Sequence, residues 1–190
     1  MNTTATEAIE FQPWPKIARL NREITITEKI DGTNAAVAIT EEGVVAAQSR
    51  KNLITPEADN FGFARWVAEH AEALASLLGP GRHFGEWWGQ GIQRKYGLAE
   101  KRFSLFNTAR YGDLDFSGLP QMGTVPVPYQ GPFSEAAINA ELNELERKGS
   151  AAAPGFGDPE GVVVFHAAAQ QMFKVTIKGD EAPKTMGAQS

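Results

Sequence analysis

Apolar and polar residues alternate along three stretches near the start of the chain. The segments EITITE (23–28), NAAVAIT (34–40) and GVVAAQS (43–49) are rich in β-branched residues and repeat with a period of two. This alternation predicts three β-strands. In the first of them Glu28 ends an otherwise apolar row, a position that costs free energy unless the carboxylate finds a partner.

Four later segments are also predicted to be strands: a short aromatic strand, the strand that follows it, and the two strands of a hairpin. They are RHFGEWWG (82–89), KRFSLFNT (101–108), EGVVVFHA (160–167) and QMFKVTIK (171–178). Residues 112–133 contain four of the eleven prolines and several glycines, so this region is predicted to be irregular.

Two segments have the three- and four-residue spacing of an amphipathic helix. The first, residues 58–79, ends at Gly79-Pro80-Gly81. Its predicted buried face consists of Phe63, Val67, Ala71, Leu74 and Leu78. The second, residues 134–149, has Ser134 as its expected N-cap. Its predicted inward side chains are Ile138, Leu142 and Leu145. Strands and helices together predict an α+β fold with mostly antiparallel sheets.

The composition is that of an ordinary globular domain. The 190 residues are 42% hydrophobic and 22% charged. We expect one domain over residues 11–184, disordered ends at 1–10 and 185–190, and no separate C-terminal domain. Without cysteine, a signal peptide or a long apolar run, we expect a cytoplasmic protein with no membrane partner. The net charge of −5 argues against a broad nucleic-acid-binding surface but leaves local contacts open.

Two common kinds of active site have no support in the sequence. Neither a GxxxxGK[ST] phosphate-binding loop nor a GxSxG nucleophile motif occurs, and the three histidines lie in unrelated contexts. What remains is a set of charged residues that end or interrupt apolar strands. These residues are Lys29, Glu86, Glu160, Lys174 and Lys178.

The segment EKIDGTN (28–34) resembles motif I of the covalent nucleotidyltransferases, which include ATP-dependent DNA ligases, RNA ligases and mRNA capping enzymes. Five segments similar to later motifs follow in the family's order. They are SRK (49–51), FGE (84–86), FSLFNT (103–108), EGVVV (160–164) and FKVTIK (173–178). The segments WPKIARL and FGEWWGQGIQRKYG, with the EKxxGTN form of motif I, resemble the RNA ligase 2 branch of RNA-repair ligases. The resemblance covers roughly residues 11 to 180.

The resemblance implies a fold, a reaction and its ligands. The implied fold is the nucleotidyltransferase (ATP-grasp-like) fold, and the implied cofactors are ATP and Mg²⁺ or Mn²⁺. The implied reaction is that of an ATP-dependent RNA ligase. The Lys29 amine would attack the α-phosphorus of ATP to form lysyl-AMP, and the enzyme would then join RNA 5′-phosphate and 3′-hydroxyl ends. The expected partners are ATP and RNA ends or a nicked duplex.

Individual residues match positions of the family's motifs. The implied nucleotide-binding residues are Glu28, Ile30, Asn34, Arg50, Glu86, Phe106, Glu160, Lys174 and Lys178. Glu86 would read the ribose, Glu160 would also be the metal ligand, and Arg50 would engage the nucleotide or the RNA end. Phe106 would stack on adenine, with Phe103 as the alternative.

Glu28 and Asn34 have expected partners on the nucleotide as well. We expect Glu28 to accept a hydrogen bond from the adenine amino group, and Asn34 to lie near the phosphates or the ribose.

Motif V departs from the family's usual KxK pattern. Lys174 matches the first lysine, which holds the α-phosphate, but Thr176 stands where the second is expected. Strand alternation places Lys178 on the same face, so it is the candidate replacement. Asp31 matches DNA ligases and capping enzymes where some RNA-repair ligases have histidine.

Several alternatives remain open on the sequence. A DNA ligase, a capping guanylyltransferase, or a catalytically weakened module that binds nucleotides or RNA ends would each be compatible with parts of the motif set. Because ligases of this family generally carry a further C-terminal domain that helps hold the nucleic acid, we also expect weak and salt-sensitive sealing by this chain alone.

Overall fold

A computed structural model describes residues 10–179, so the predicted disordered ends lie outside the described residues apart from Glu10. The strands of this range are β1 (Glu23–Lys29), β2 (Thr33–Ile39), β3 (Val45–Ser49), β4 (Leu53–Ile54), β5 (Gly81–Gly89), β6 (Lys101–Leu105), β7 (Met122–Thr124), β8 (Tyr129–Pro132), β9 (Gly161–His166) and β10 (Gln171–Thr176). The helices are α1 (Phe63–Glu69), α2 (Ala71–Leu78), α3 (Thr108–Tyr111) and α4 (Glu135–Lys148).

The strands form two sheets. Sheet A has the order β10-β9-β1-β8 and is antiparallel throughout. Sheet B has the order β4-β3-β2-β5-β6-β7 and is antiparallel except for its β6–β7 pair. The chain passes from sheet A to sheet B through residues 30–32, so the end of β1 lies at the junction between the sheets.

Each sheet buries one face against helices. Helices α1 and α2 cover sheet B, where Phe63 of α1 packs with Val37, Trp87 and Phe103 of the strands. Helix α4 covers the apolar face of sheet A. A third cluster around Ile30 fills the space beside the 30–32 connection. The remaining faces carry the polar side chains of the site.

All seven predicted strands are present, with ends that differ from the predictions by at most three residues. The alternation in β1 is confirmed: even-numbered residues from Ile24 to Glu28 are buried, and odd-numbered ones from Thr25 to Lys29 are partly exposed. The prediction of an irregular region at 112–133 is wrong in part, because β7 pairs with β6 and β8 pairs with β1.

The prediction of one helix over 58–79 is wrong at both its start and its middle. Residue His70, with φ −115° and ψ 16°, separates α1 from α2, and its ring Nδ1 lies 2.8 Å from the Trp66 carbonyl oxygen. The first helix begins only at Phe63, where the Asp59 carboxylate accepts from the N–H groups of Ala64 and Arg65. Asp59 therefore replaces the missing cap of a helix that starts after a glycine.

The second predicted helix is confirmed as α4. The Ser134 hydroxyl accepts from the Ala137 N–H at 3.1 Å, as expected for an N-cap. Gly149 ends the helix with φ 87°, and a Cβ there would overlap the Phe156 carbonyl oxygen. The helix therefore leads directly into the loop that reaches the site.

Candidate nucleotide-binding site

The Lys29 amine lies against a carboxylate from a distant part of the sequence. Its Nζ is 2.6 Å from Oε2 of Glu160, and the two side chains are 25% and 19% exposed. Lys29 pairs across the sheet with Gly161, which in turn pairs with Thr176. A Cβ at Gly161 would overlap the Val175 carbonyl oxygen. Glycine there lets the three strands pair closely beside the amine.

A second carboxylate, that of Glu86 in β5, accepts hydrogen bonds from the segment after Lys29. The Gly32 N–H donates to its Oε1 at 3.0 Å, and the Asn34 amide donates to its Oε2 at 3.2 Å. A Cβ on Gly32 would lie only 2.7 Å from Cβ of Trp88. Glycine is thus required for the close approach of this connection to β5, which brings the backbone to the carboxylate.

The environment of Glu86 is unusual for an acid. The side chain is 7% exposed, and burial raises the pKa of its carboxyl to about 7. The Gly32 N–H and the charge of Lys29 lower this pKa, whereas Glu160 and Asp31 raise it. Buried acids with a strongly raised pKa next to other charged groups are typical of functional sites.

A cavity of about 210 Å³ opens on the outer face of sheet B, and Asn34, Arg50 and Phe106 are among its lining residues. Because Asn34 also contacts Glu86, the cavity adjoins the carboxylates around Lys29. Phe106 follows the end of β6 and is 37% exposed, whereas Phe103 is fully buried in the core. The alternative of Phe103 as the stacking residue is therefore wrong.

Glu28 is directed away from this cavity. It is 2% exposed, and its carboxylate accepts from the Ser150 hydroxyl at 2.6 Å and from the N–H groups of Ala151 and Ala152 at 2.9 Å each. The partner that this buried carboxylate requires is thus a loop of the protein itself, residues 150–152. The structure gives Glu28 an anchoring role that the sequence pattern did not identify, and an adenine contact stays a prediction.

The motif V residues divide between two places. Thr27, Val163 and Lys174 are paired across the sheet, so Lys174 lies on the face of sheet A that also carries Lys29. Past the end of β10 at Thr176, the Ile177 N–H still donates to the Glu160 carbonyl oxygen at 3.0 Å, and Ile177 packs with Val175 against the cluster under α4. This alternation agrees with the predicted position of Lys178 on the face of Lys174, and its role as the second motif V lysine stays a prediction. The Lys178 amine is 2.8 Å from Asp158 and is 76% exposed.

Arg94 joins three segments around the site and was missed by the sequence reasoning. Its Nε donates to Asp31 at 2.9 Å, and its Nη1 donates to the Asp158 carboxylate at 2.7 Å. Tyr96, two residues further on, accepts from the Asp31 N–H at 2.8 Å. The only signal was the segment FGEWWGQGIQRKYG, which carried the resemblance without a role for this arginine.

Ile30 is 5% exposed and packs in the cluster with Trp88 and Tyr96. Its side chain therefore faces the interior, and a contact with a nucleotide would have to come from its backbone. Of the predicted residues, the structure brings Lys29, Glu160, Glu86 and Asn34 together. It places Arg50 and Phe106 in the adjoining cavity, and it directs the side chains of Glu28 and Ile30 elsewhere.

Within residues 10–179 no group of three or more His, Cys, Asp or Glu side chains is arranged to hold a metal ion. The carboxylate of Glu160, next to the amine, is a hard oxygen donor of the kind that Mg²⁺ and Mn²⁺ prefer. It fits a metal whose other ligands are phosphate oxygens and water. No helix of the described chain is long and apolar enough to cross a membrane.

Two mostly antiparallel sheets, with a lysine–carboxylate contact at their junction and a cavity beside it, define a nucleotidyltransferase-type domain. The sequence profile of the RNA ligase family matches residues 22–176. The chain therefore belongs to the RNA ligase family. A comparison with curated protein sequences finds no match.

Solved structures of RNA ligases share the fold. A mutant of the Naegleria gruberi RNA ligase with AMP and Mn is 17% identical, with a TM-score of 0.61 over 83% of this chain and 50% of that one. Another mutant of the same ligase, with ATP and Mn, is 18% identical with a TM-score of 0.58, over 82% and 49%. An archaeal ATP-dependent RNA ligase is 17% identical with a TM-score of 0.56, over 87% and 48%. The chain spans about half the length of these ligases, and the likeness confirms the α+β nucleotidyltransferase fold.

Proposed function

We propose that this domain carries out the adenylation step of an ATP-dependent RNA ligase and takes part in joining RNA ends. The observation that carries the proposal is the 2.6 Å contact between Lys29 Nζ and Glu160, made next to the buried acid Glu86. Membership in the RNA ligase family supports the same reaction. So does the likeness to ligases solved with ATP or AMP and Mn.

In the first step, the unprotonated Lys29 amine attacks the α-phosphorus of ATP. A nitrogen–phosphorus bond forms, the bond from that phosphorus to the bridging oxygen breaks, and pyrophosphate leaves with the electron pair of that bond. The nitrogen then loses a proton, which leaves lysyl-AMP. Before the reaction, the contact with Glu160 fixes the amine at the junction of the sheets and restricts its direction of attack.

Lys174 is suited to the charge that develops during this attack. It lies on the same face of sheet A as Lys29, one strand beyond β9. A cation held there offsets negative charge on the α-phosphate oxygens in the transition state. A bound Mg²⁺ or Mn²⁺, held by Glu160, would neutralise further phosphate charge.

The cavity on sheet B is suited to the nucleoside. The partly exposed ring of Phe106 offers a stacking surface for adenine. Glu86 can accept from ribose hydroxyls, since within residues 10–179 its two oxygens accept only from the Gly32 N–H and the Asn34 amide. Arg50 at the cavity wall has the planar donor arrangement that suits a phosphate.

The following steps use the same site. AMP would pass from Lys29 to the 5′-phosphate of an RNA strand, and the 3′-hydroxyl of a second strand would then displace AMP to form the phosphodiester bond. RNA ends or a nick in a duplex are the substrates we propose, because each presents a 5′-phosphate beside a 3′-hydroxyl.

Covalent labelling tests this proposal directly. The full chain is incubated with ATP or GTP carrying a radioactive α-phosphate, in Mg²⁺ or Mn²⁺, and is then separated under denaturing conditions. We expect label from ATP, its loss in Lys29→Ala, and its retention in Lys148→Ala, which removes an exposed lysine of α4. Label from GTP alone would indicate a capping-type enzyme, and no label from either would indicate a binding module; both results would overturn the proposal.

A further inference from the structure

The cavity on the outer face of sheet B is lined by one complete row of residues across the strands. Gln48 of β3 pairs with Ala36 of β2, and Ala36 pairs with Phe84 of β5. On the other side of β5, the Phe106 N–H donates to the Phe84 carbonyl at 3.0 Å. Gln48, Ala36, Phe84 and Phe106 therefore form one row across the sheet, and two of these four positions are aromatic.

The two aromatic rings of this row are open to solvent. Phe84 is 52% exposed and Phe106 is 37% exposed, whereas Phe103 on the opposite face of the sheet is fully buried. Their neighbour in the row, Ala36, is too small to cover them. An exposed phenyl ring on a flat strand surface costs free energy in water, so a ligand that covers it would gain that free energy back.

Arginines lie on both sides of the row. Arg82 is exposed, is on the same face two residues before Phe84, and donates from Nη1 to the Gln48 amide oxygen at 2.6 Å. Arg50 lines the cavity on the other side. The acid of this face, Glu86, is 7% exposed.

Acidic residues follow the basic and aromatic area in the direction of the turn between β2 and β3. The exposed acids Glu41 and Glu42 lie further along the face, in the turn between β2 and β3. The basic and aromatic area therefore ends before that turn, and it is a small area rather than a broad surface.

We infer that Phe84, at the end of the cavity away from Asn34, and Arg82, just outside it, form a docking site for one unpaired nucleotide of an RNA strand. Aromatic rings on strands stack unpaired bases, and an arginine beside the ring contacts the adjoining phosphate. Phe84 and Phe106 both line the cavity, so a nucleotide docked on Phe84 would hold the RNA strand beside the adenylated lysine. The inference rests on the proposed ligase function and names the part of the RNA that this face recognises.

Fluorescence anisotropy with the full chain and a fluorescein-labelled single-stranded oligoribonucleotide, without ATP, tests the site. Phe84→Ala should weaken binding by about ten-fold at any salt concentration, because a base stack is lost. Arg82→Ala should reduce the slope of log affinity against log salt by about 0.7, because one phosphate contact to a single strand is lost. Binding of the same strand in a duplex should not depend on Phe84, because paired bases cannot stack on it.

Matched substitutions outside the face serve as controls. Phe173 has the same 52% exposure as Phe84 but lies on the face of sheet A opposite Lys174. Arg65 is an exposed arginine of α1, which covers the other side of sheet B. Phe173→Ala and Arg65→Ala should bind the single strand like the unaltered chain.

Covalent labelling with ATP separates a failure of this inference from a failure of the ligase proposal. Arg82→Ala should be labelled like the unaltered chain. Normal labelling of the unaltered chain and of Arg82→Ala, together with unchanged RNA affinity in Phe84→Ala and an unchanged salt slope in Arg82→Ala, would overturn the docking site and leave the ligase proposal standing. An unaltered chain that takes no label from ATP would instead overturn the ligase proposal, whatever its affinity for RNA.

Discussion

Two buried carboxylates lie beside Lys29, and the protein surrounds them in different ways. Glu28, 2% exposed, receives three hydrogen bonds from the loop at 150–152. Glu86, 7% exposed, receives one from a backbone N–H and one from the Asn34 amide. The oxygens of Glu28 accept hydrogen bonds from the protein itself, whereas those of Glu86 can still accept from a ligand. Burial raises the pKa of Glu86 to about 7.

The comparison shows that burial alone does not distinguish a structural carboxylate from one that can bind a ligand. Both acids have apolar neighbours and both stand in motifs of the family, so the sequence treats them alike. Donors within the protein distinguish them, because a buried carboxylate that is fully supplied with donors has no need of a ligand. We therefore expect Glu28 to act mainly on stability and Glu86 mainly on nucleotide binding.

The largest effect on activity should come from Lys29, which lies between Glu28 and the segment bound by Glu86. Lys29→Ala should abolish covalent labelling by ATP, because the attacking nitrogen is gone. Lys29→Arg should fail as well, since a guanidinium stays protonated and cannot attack. Because Lys29 is on the partly exposed side of β1, the free energy of unfolding of Lys29→Ala should change by less than about 1 kcal/mol. Acid-stable AMP on the alanine variant would show that another residue is the nucleophile.

Glu28→Ala should cost the fold about 3 kcal/mol, since the Ser150 hydroxyl and two N–H groups would lose a buried charged acceptor. Urea unfolding measures this, with Glu144→Ala on the surface of α4 as the control. If the variant keeps full stability but loses its preference for ATP over GTP, the adenine contact predicted from the sequence is the better account of Glu28.

Glu86 should make stability depend on pH in the direction opposite to most acids. Its pKa in the fold is about 7 against an ordinary value of 4.5, so the native state binds more protons between these values. Unfolding free energy should therefore fall as pH rises from about 4.5 to about 7, by up to ~3 kcal/mol from this group. Glu86→Gln should remove most of that slope in denaturant titrations, and an equal slope in both proteins would place the titration elsewhere.

The smallest effect concerns Arg94, whose contacts to Asp31 and Asp158 are partly exposed. Arg94→Ala should slow adenylation by about two- to five-fold, because exposed ion pairs contribute little free energy. Arg94→Lys should restore part of the rate if the positive charge is what matters. A loss as large as that of Lys29→Ala would mean that the arginine contacts the nucleotide itself.

Local patterns in the sequence predicted seven of the ten strands of the described chain, and the resemblance to the family's motifs pointed to the residues of the candidate site. Alternation in β1 and the motif order identified Lys29 and Glu160, which the structure places 2.6 Å apart. The sequence could not identify the helix break at His70, because the apolar spacing of the helices continues on both sides of that residue. Nor could it identify the partners of Glu28, because backbone N–H groups in a loop more than a hundred residues away leave no pattern of side chains.

The position of Lys174 at the margin of sheet A has a dynamic consequence. Among the described residues β10 pairs only with β9, whereas β1, which carries Lys29, is held between β9 and β8. Strands with one neighbour open at lower free energy than central ones, so the amides of β10 should exchange with deuterium sooner than those of β1. Lys174, the proposed phosphate-binding lysine, thus lies on a strand that opens more readily than the strand that carries Lys29. In the proposed reaction, opening of the strand that carries Lys174 would let pyrophosphate leave while Lys29 keeps its position.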